Sequence, residues 1–588
     1  MHVPRSGSAA ASPAPSSAPS SAPSPLDPDD DLPADAEVDA LVVGSGFGAA
    51  VAALRLAEAG HSVAVLERGF AYPPGDFPRA PHEFGRNLWD PSEGLLGLFD
   101  VWSFRRMDAV VASGLGGGSL VYANVLLELE EEFFTTGAGR DWPVGAGELA
   151  PGYRRAREML GGTPFPYGTA PAPTGPILKV HAMQRAAARL GTTALTPDLA
   201  VSFGEGRGRP LPVDPWNVHG IPRRSCTLCG ECDVGCNQGS KNSLDHTYLS
   251  RAREHGARLL TGHEVRRLDR DGGRWRVGYV RRRRGADDGS GAPTPADPGR
   301  TAGSVRARIV VLGAGSLGST YLLLANRCGL PGLSARLGHG FSGNGDFLGF
   351  LTSRDPGFRA SRGPVITSAI PVRGPAGDGG PGAEFWVQDG GFPGFLDWIA
   401  ENALPLRPAA RLVRLFASRR WQDLRGVRPA QVSGQLARLL GPGQRAAGIL
   451  PLLTMGRDTP SGRLGLRDGY LDLDWSPAQS REYFAEVRRT LRRLAVAIDA
   501  EYHDSISTFL SRSVTVHPLG GCGMGRDPGT GVVDERGEVF GHPGLFVADG
   551  AVLPGPVGPN PSLTIAALAE LFSGRMRERL ATSPAVAA

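Results

Sequence analysis

Residues Val38–Arg68 read VDALVVGSGFGAAVAALRLAEAGHSVAVLER. Ala40–Val43 is a short apolar run, the pattern of a central parallel strand buried on both faces. Gly44 then permits a tight turn, and Gly46 lets the backbone approach a pyrophosphate. The helix expected over Ala49–Ala59 points its first amides and its positive dipole end at those phosphates. Ala49 stands where the third glycine of G-x-G-x-x-G would be. Ser62–Leu66 reads as a second strand, and Glu67 follows it about 20 residues after the glycines, where a carboxylate binds ribose hydroxyls. The unit predicts a Rossmann-like α/β dinucleotide-binding fold. By itself it does not separate NAD from FAD.

Two further segments bear on that choice. Gly114–Asn124 reads GLGGGSLVYAN, and its dense glycines let backbone lie flat against a bulky planar ligand, although a flexible surface loop has the same composition. Val516–Gly525 reads VHPLGGCGMG and Leu545–Thr564 reads LFVADGAVLPGPVGPNPSLT. With GSGFGAA at 44–50, GLGGGSLV at 114–121, SLDHTYL at 243–249, VLGAGSLGST at 311–320, HPLGGC at 517–522 and VGPNPSLTI at 557–565, the chain resembles the glucose–methanol–choline (GMC) oxidoreductases, in their cholesterol-oxidase-like branch.

The resemblance implies an FAD enzyme that oxidises the CH–OH group of an alcohol. It implies a Rossmann-like FAD domain of the glutathione-reductase type, with a discontinuous α+β substrate domain built on an antiparallel sheet. Its cofactor set falls here on Gly44, Gly46, Phe47, Gly48, Glu67, Gly114, Gly117, Gly118, Ser119, Asn124, Val265, Asp549, Gly550 and Asn560. Its catalytic pair falls on His517 and Asn560. An imidazole suits the chemistry, because hydride transfer from carbon needs a group that takes the hydroxyl proton near neutral pH. Asn560 lies between Pro559 and Pro561, which stiffen its backbone, and its amide is suited to hydrogen-bond the substrate oxygen or the flavin edge. The segment Gly114–Asn124 holds no histidine, so noncovalent flavin is expected, with His82 the remaining candidate for attachment.

Composition is that of an ordinary globular enzyme of more than one domain: 588 residues, 41% hydrophobic, 21% charged, net charge +4. Lys179 and Lys241 are the only lysines among 63 basic residues. That skew fits a GC-rich genome better than nucleic-acid binding, and no nucleic-acid partner is expected. The basic run Arg281–Arg284 leads into GADDGSGAPTPADPG and reads as a disordered insertion. No apolar stretch approaches a membrane span. Residues 1–37 are Ala/Pro/Ser-rich and then acidic, without a signal-peptide pattern; a disordered tail and a cytoplasmic enzyme are expected.

The expected organisation alternates. FAD-domain pieces fall at 38–130, 221–350 and 506–575, and substrate-domain pieces at 131–220 and 351–505, with a tail from 576 to 588. Tyr483–Ile498 carries apolar residues at helical spacing, as a helix packed on a sheet does.

Cys226–Cys236, CTLCGECDVGC, spaces four of the six cysteines as C-x2-C-x2-C-x3-C. That is the spacing of bacterial ferredoxin runs, with Asn237 in place of the usual proline. Some GMC dehydrogenases carry an iron–sulfur cluster on three cysteines spaced as Cys226, Cys232 and Cys236 are. A cluster held by Cys226, Cys229, Cys232 and Cys236, a compact zinc site and unused thiols all remain open; a disulfide in a reducing compartment is less expected. Bacterial cholesterol oxidases also isomerise their steroid with a glutamate, and the stretch corresponding to it, Gly443–Leu450, contains no carboxylate. A bulky hydrophobic alcohol of sterol type is the expected substrate, with oxygen, a quinone or an acceptor protein taking the electrons. The alternative is a dehydrogenase that relays electrons through the cysteine loop.

Overall fold

The computed structural model describes residues 32–33, 36–79, 87–135, 139–166, 177–211, 217–283, 303–353, 357–373, 385–392, 448–505 and 512–582. The expected N-terminal tail, the insertion after Arg283, His82 and most of Gly443–Leu450 lie outside these residues.

The predicted nucleotide-binding unit forms. The strand Glu37–Val43 is followed by the helix Phe47–Glu58 and the strand Val63–Leu66, with Val42 opposite Val65 in parallel register. The first strand begins three residues earlier than its apolar run, because Glu37 and Val38 already pair with Arg306 and Ala307. The helix begins two residues earlier than expected, directly after Gly46, which is extended and serves as N-cap.

A seven-stranded sheet grows around this unit in the order Arg258–Leu260, Val63–Leu66, Glu37–Val43, Gly303–Leu312, Arg274–Arg281, His263–Asp271. The C-terminal half of Gly303–Leu312 also pairs in parallel with Leu545–Val547, Val311 standing opposite Phe546. Three distant stretches of chain thus share one sheet. The core segments of its central strands, 40–43, 63–66 and 309–312, are apolar and buried because helices cover them. The C-terminal helix Ser562–Thr582 is one of these. It is tied to the first helix by Arg55, whose Nε and Nη2 each donate to Glu570 at 2.8 Å.

A second, five-stranded antiparallel sheet runs Ala369–Val372, Phe385–Asp389, Ile449–Gly456, Phe347–Thr352, Glu501–Asp504. The helix Arg481–Ala497 covers it, burying Tyr483, Phe484, Val487, Leu491 and Leu494. Phe484 meets Phe347 at 6.2 Å between ring centroids, and Tyr483 meets Phe385 at 6.0 Å. Each such side chain contributes roughly 1.5–3 kcal/mol, which holds this helix on its sheet. Among the described residues, no helix is long and apolar enough to cross a membrane.

Gly48 marks the tightest point of the fold. A Cβ there would lie 1.8 Å from the carbonyl oxygen of Ala548, so only a bare Cα lets the first helix cross the end of Leu545–Val547. Gly48→Ala is expected to destabilise the protein by about 3 kcal/mol or more, the upper end of overpacking costs, because backbone on both sides must move. A urea midpoint equal to that of the wild type would contradict this close approach.

Candidate active site

A cavity of about 1540 Å³ is bordered by residues of both sheets. On one side lie the C-terminal ends of the strands Glu37–Val43, Val63–Leu66 and Gly303–Leu312, the place where open α/β sheets bind ligands. Gly44, Gly46, Phe47, Glu67, Gly117, Gly118, Val265, Asp549 and Gly550 border it. Gly48, Gly114, Ser119 and Asn124 do not. Gly48 packs on Ala548, and the carbonyl of Gly114 accepts from Ser45 Oγ at 3.3 Å. Ser119 Oγ donates to the Gly116 carbonyl and accepts from Leu244 N, which shapes the glycine loop from behind.

These residues fit an adenine dinucleotide. The first helix starts without a side-chain cap, so its leading amides are free to meet phosphate. The glycine loop touches the turn: a Cβ on Gly117 would lie 2.8 Å from Gly46 Cα. Glu67 Oε2 accepts from Ser45 Oγ at 2.6 Å and Oε1 from Gly69 N at 2.8 Å, and burial raises its carboxyl above the usual range. Burial likewise pushes Asp549 up to about 6, although Ser319 Oγ and the Ala551 and Gly315 amides all donate to it. Asn124 is buried at φ 69°, and neither atom of its amide has a partner among the described residues.

On the other side of the cavity, His517 and Asn560 both border it, and one short loop governs them. In Ser342–Asp346, Asp346 accepts from His517 Nδ1 at 2.8 Å, and its other oxygen accepts from Thr515 Oγ1 and Val516 N, both at 2.9 Å. The carboxylate thus fixes the imidazole through Nδ1 and leaves Nε2 for the cavity. Two residues back, Asn344 Oδ1 accepts from Val557 N and Gly558 N at 3.0 Å, while Nδ2 donates to the Gly558 and Pro559 carbonyls. That clamp ends one residue before Asn560. Asn560 Oδ1 in turn accepts from Gln388 Nε2 at 2.7 Å. Beneath the loop, Ser342 Oγ donates to Asp458, whose carboxyl is pushed up to about 7 by burial and by the neighbouring charge of Asp346.

Asp346, Asn344 and Gln388 are absent from the sequence-based set. FSGNGD at 341–346 reads as an ordinary turn, and Gln388 sits in a strand where a buried glutamine carries no local mark. The one available signal is chemical: a proton-accepting histidine needs an orienting partner, without any indication of which carboxylate supplies it.

The four loop cysteines are free and half-buried. Burial above all raises the thiols of Cys226, Cys229 and Cys232, the last to about 11. A tetrahedral zinc holds its sulfurs about 3.8 Å apart. No three of these sulfurs lie within 4.8 Å of one another; among the described residues only His219, Asp245 and His246 form a group that compact. His219 and Asp245 hydrogen-bond at 2.6 Å, and the charges of Arg223 and Lys241 act on Asp245, so a further cation there is opposed.

Both lysines are wholly internal. Lys241 Nζ donates to the carbonyls of Leu120, Tyr122 and Cys232 at 2.9, 2.7 and 2.7 Å, joining the glycine loop to the cysteine loop. Lys179 Nζ donates to the Pro364 and Val365 carbonyls and pairs with Asp389 at 2.9 Å, bracing the cavity wall.

Comparison with known proteins identifies the family and the fold. Models of the GMC oxidoreductase family match residues 216–340 and 470–569, and an FAD binding domain model matches 39–72. A cholesterol oxidase of Mycobacterium tuberculosis is 31% identical over 560 residues, covering 91% of this chain and 90% of its own. A cholesterol oxidase of Acinetobacter baumannii is 29% identical, covering 91% of this chain and 93% of its own. The crystal structure of pyridoxine 4-oxidase from Mesorbium loti superposes with a TM-score of 0.54 at 19% identity, over 92% of this chain and 99% of that one, a likeness of fold. The chain belongs to the GMC oxidoreductase family, and it is an FAD-dependent enzyme acting on the CH–OH group of alcohols.

Proposed function

We propose that the enzyme oxidises a bulky, hydrophobic alcohol of sterol type, with His517 as the base and oxygen as the electron acceptor. The observation that carries the reading is the Asp346–His517 pair: an imidazole anchored through Nδ1, on the cavity wall it shares with Asn560. Bound FAD supplies the hydride acceptor. His517 takes the hydroxyl proton, Asp346 holds the ring in place through Nδ1, and Asn560 hydrogen-bonds the substrate oxygen. The wall around them is largely apolar, with Trp102, Phe347, Val365, Ile366 and Leu453 among its residues, and such a wall accepts a hydrocarbon body. The cholesterol oxidases among its relatives point the same way. The alternation of FAD-domain and substrate-domain pieces near residues 130, 220, 350 and 505 belongs to the same reading.

A second reading, electron relay through an iron–sulfur cluster, draws on the cysteine loop. Its thiols are deep enough to feel one another's charge, Leu228 N donates to Cys226 Sγ at 3.4 Å, and Lys241 links the loop to the flavin side. Anaerobically purified protein should then contain about three to four irons per chain. Iron-free protein with full activity would dismiss it.

The main reading is tested by anaerobic stopped-flow reduction of the flavin with detergent-dispersed cholesterol, dodecanol and glucose. Cholesterol is expected to reduce it fastest, and preferential reduction by glucose would overturn the substrate assignment. His517→Ala is expected to slow reduction about 10²–10⁴-fold with FAD retained. Asp346→Asn should slow it by a similar order, because an amide does not enforce the productive tautomer or stabilise the imidazolium. Unchanged rates in both variants would remove His517 from the chemistry. Acid precipitation should release the flavin into the supernatant, as noncovalent binding requires; yellow precipitate would show attachment.

A further inference from the structure

The geometry points to Gln388 as a positioning residue whose amide decides which end of the Asn560 side chain meets the substrate oxygen. This rests on the reading that Asn560 hydrogen-bonds that oxygen, and it goes further by naming the end that does so.

The backbone around Asn560 is set by its flanking prolines and by the Asn344 clamp on Val557–Pro559. The orientation of its side chain is another matter. The two ends of a primary amide have nearly the same shape, so packing does not tell them apart; hydrogen bonds do. Among the described residues, the side-chain hydrogen bond of Asn560 runs to Gln388, whose Nε2 donates to Oδ1 at 2.7 Å. With its oxygen engaged in the protein, Asn560 is left with Nδ2, two N–H donors, for the cavity.

Gln388 is suited to this and to little else. It is fully buried in the strand Phe385–Asp389, and its register neighbours Ala369 and Leu453 are apolar. Its own Oε1 is buried without a partner among the described residues. A site chosen for packing alone would hold leucine or methionine and avoid that orphaned acceptor. The donor end of Asn560 matters because negative charge grows on the substrate oxygen as its proton leaves. An N–H stabilises that charge, whereas a carbonyl oxygen repels it.

Gln388→Glu tests the idea through its charge state. The ionised carboxylate offers acceptors only, so it draws an N–H from Asn560 and turns Oδ1 to the cavity. Protonated, it donates again and restores the original orientation. The charged or titratable groups nearby are the Lys179–Asp389 pair on the same strand segment, His517–Asp346 and Asp233 on the cavity wall, and Arg457 beside Gly558. All are common to variant and wild type.

The measurement is the ratio of flavin reduction rates, variant to wild type, with detergent-dispersed cholesterol across pH. The ratio should be highest at low pH and fall by about 10²-fold as pH rises through the carboxyl pKa, which burial places above the reference value of about 4.3. A ratio that does not change with pH overturns the inference. If Gln388→Glu does not retain FAD, Gln388→Met carries the test: it removes the donor without adding charge and should slow reduction about tenfold at constant flavin content, and a slowing under about twofold is contrary. Asn560→Ala separates the two readings. If it leaves reduction unchanged, the role of Asn560 falls; if it slows reduction while the Gln388 variants do not, only the role of Gln388 falls.

Discussion

The reactive half of the molecule depends on the pentapeptide Ser342–Asp346. Its three polar side chains reach in different directions, Asp346 to the imidazole of His517, Asn344 to the backbone just before Asn560 and Ser342 to Asp458. The loop backbone also pairs with the histidine segment, Ser342 and Leu519 exchanging N–H···O bonds at 3.0 and 2.9 Å. Asn344 is held at φ 52°, and the Gly345 carbonyl accepts from Tyr483 Oη at 2.8 Å, so the antiparallel sheet and its covering helix brace the loop from below. Two groups more than 40 residues apart in sequence are thus referred to one rigid support. A shift of that support moves both together and preserves their mutual geometry, the quantity that matters under the proposed roles, in which His517 takes a proton while Asn560 meets the same oxygen.

Asp458 adds a constraint beneath the loop. Two carboxylates near each other do not readily share full charge in a buried site, and burial together with Asp346 pushes Asp458 up to about 7. Asp346 accepts from Thr515 Oγ1, Val516 N and His517. The arrangement places the Asp346 carboxylate beside the imidazole and bonds its raised neighbour to Ser342.

What the sequence revealed and what it hid divide by the range of the interactions. The nucleotide unit is legible because a strand, a glycine turn, a helix and an acid within 31 residues form a local pattern, and even there Gly48 reads as a helix residue until Ala548 is seen against it. His517 and Asn560 are legible because their motifs are distinctive. Asp346, Asn344 and Gln388 act on residues 171, 213 and 172 positions away. Nothing in their immediate neighbours signals a partner that distant. The cysteine loop shows the converse: a spacing that suggests an iron–sulfur or metal site, and thiols that stand free and half-buried in the folded chain.

The two lysines lead to a different kind of consequence. In a chain that otherwise uses arginine for positive charge, a small ammonium with three N–H bonds is kept only at the two places where three or four oxygens converge from separate segments, beneath the glycine loop and behind the cavity wall. Neither nitrogen is open to solvent in the closed fold. An acylating reagent that seeks primary amines therefore finds these side chains only when their surroundings part. Uptake of label at Lys241 times the separation of the flavin loop from the cysteine loop, and uptake at Lys179 times the opening of the cavity wall. The enzyme thus carries a pair of silent clocks for breathing motions at the two faces of its active site.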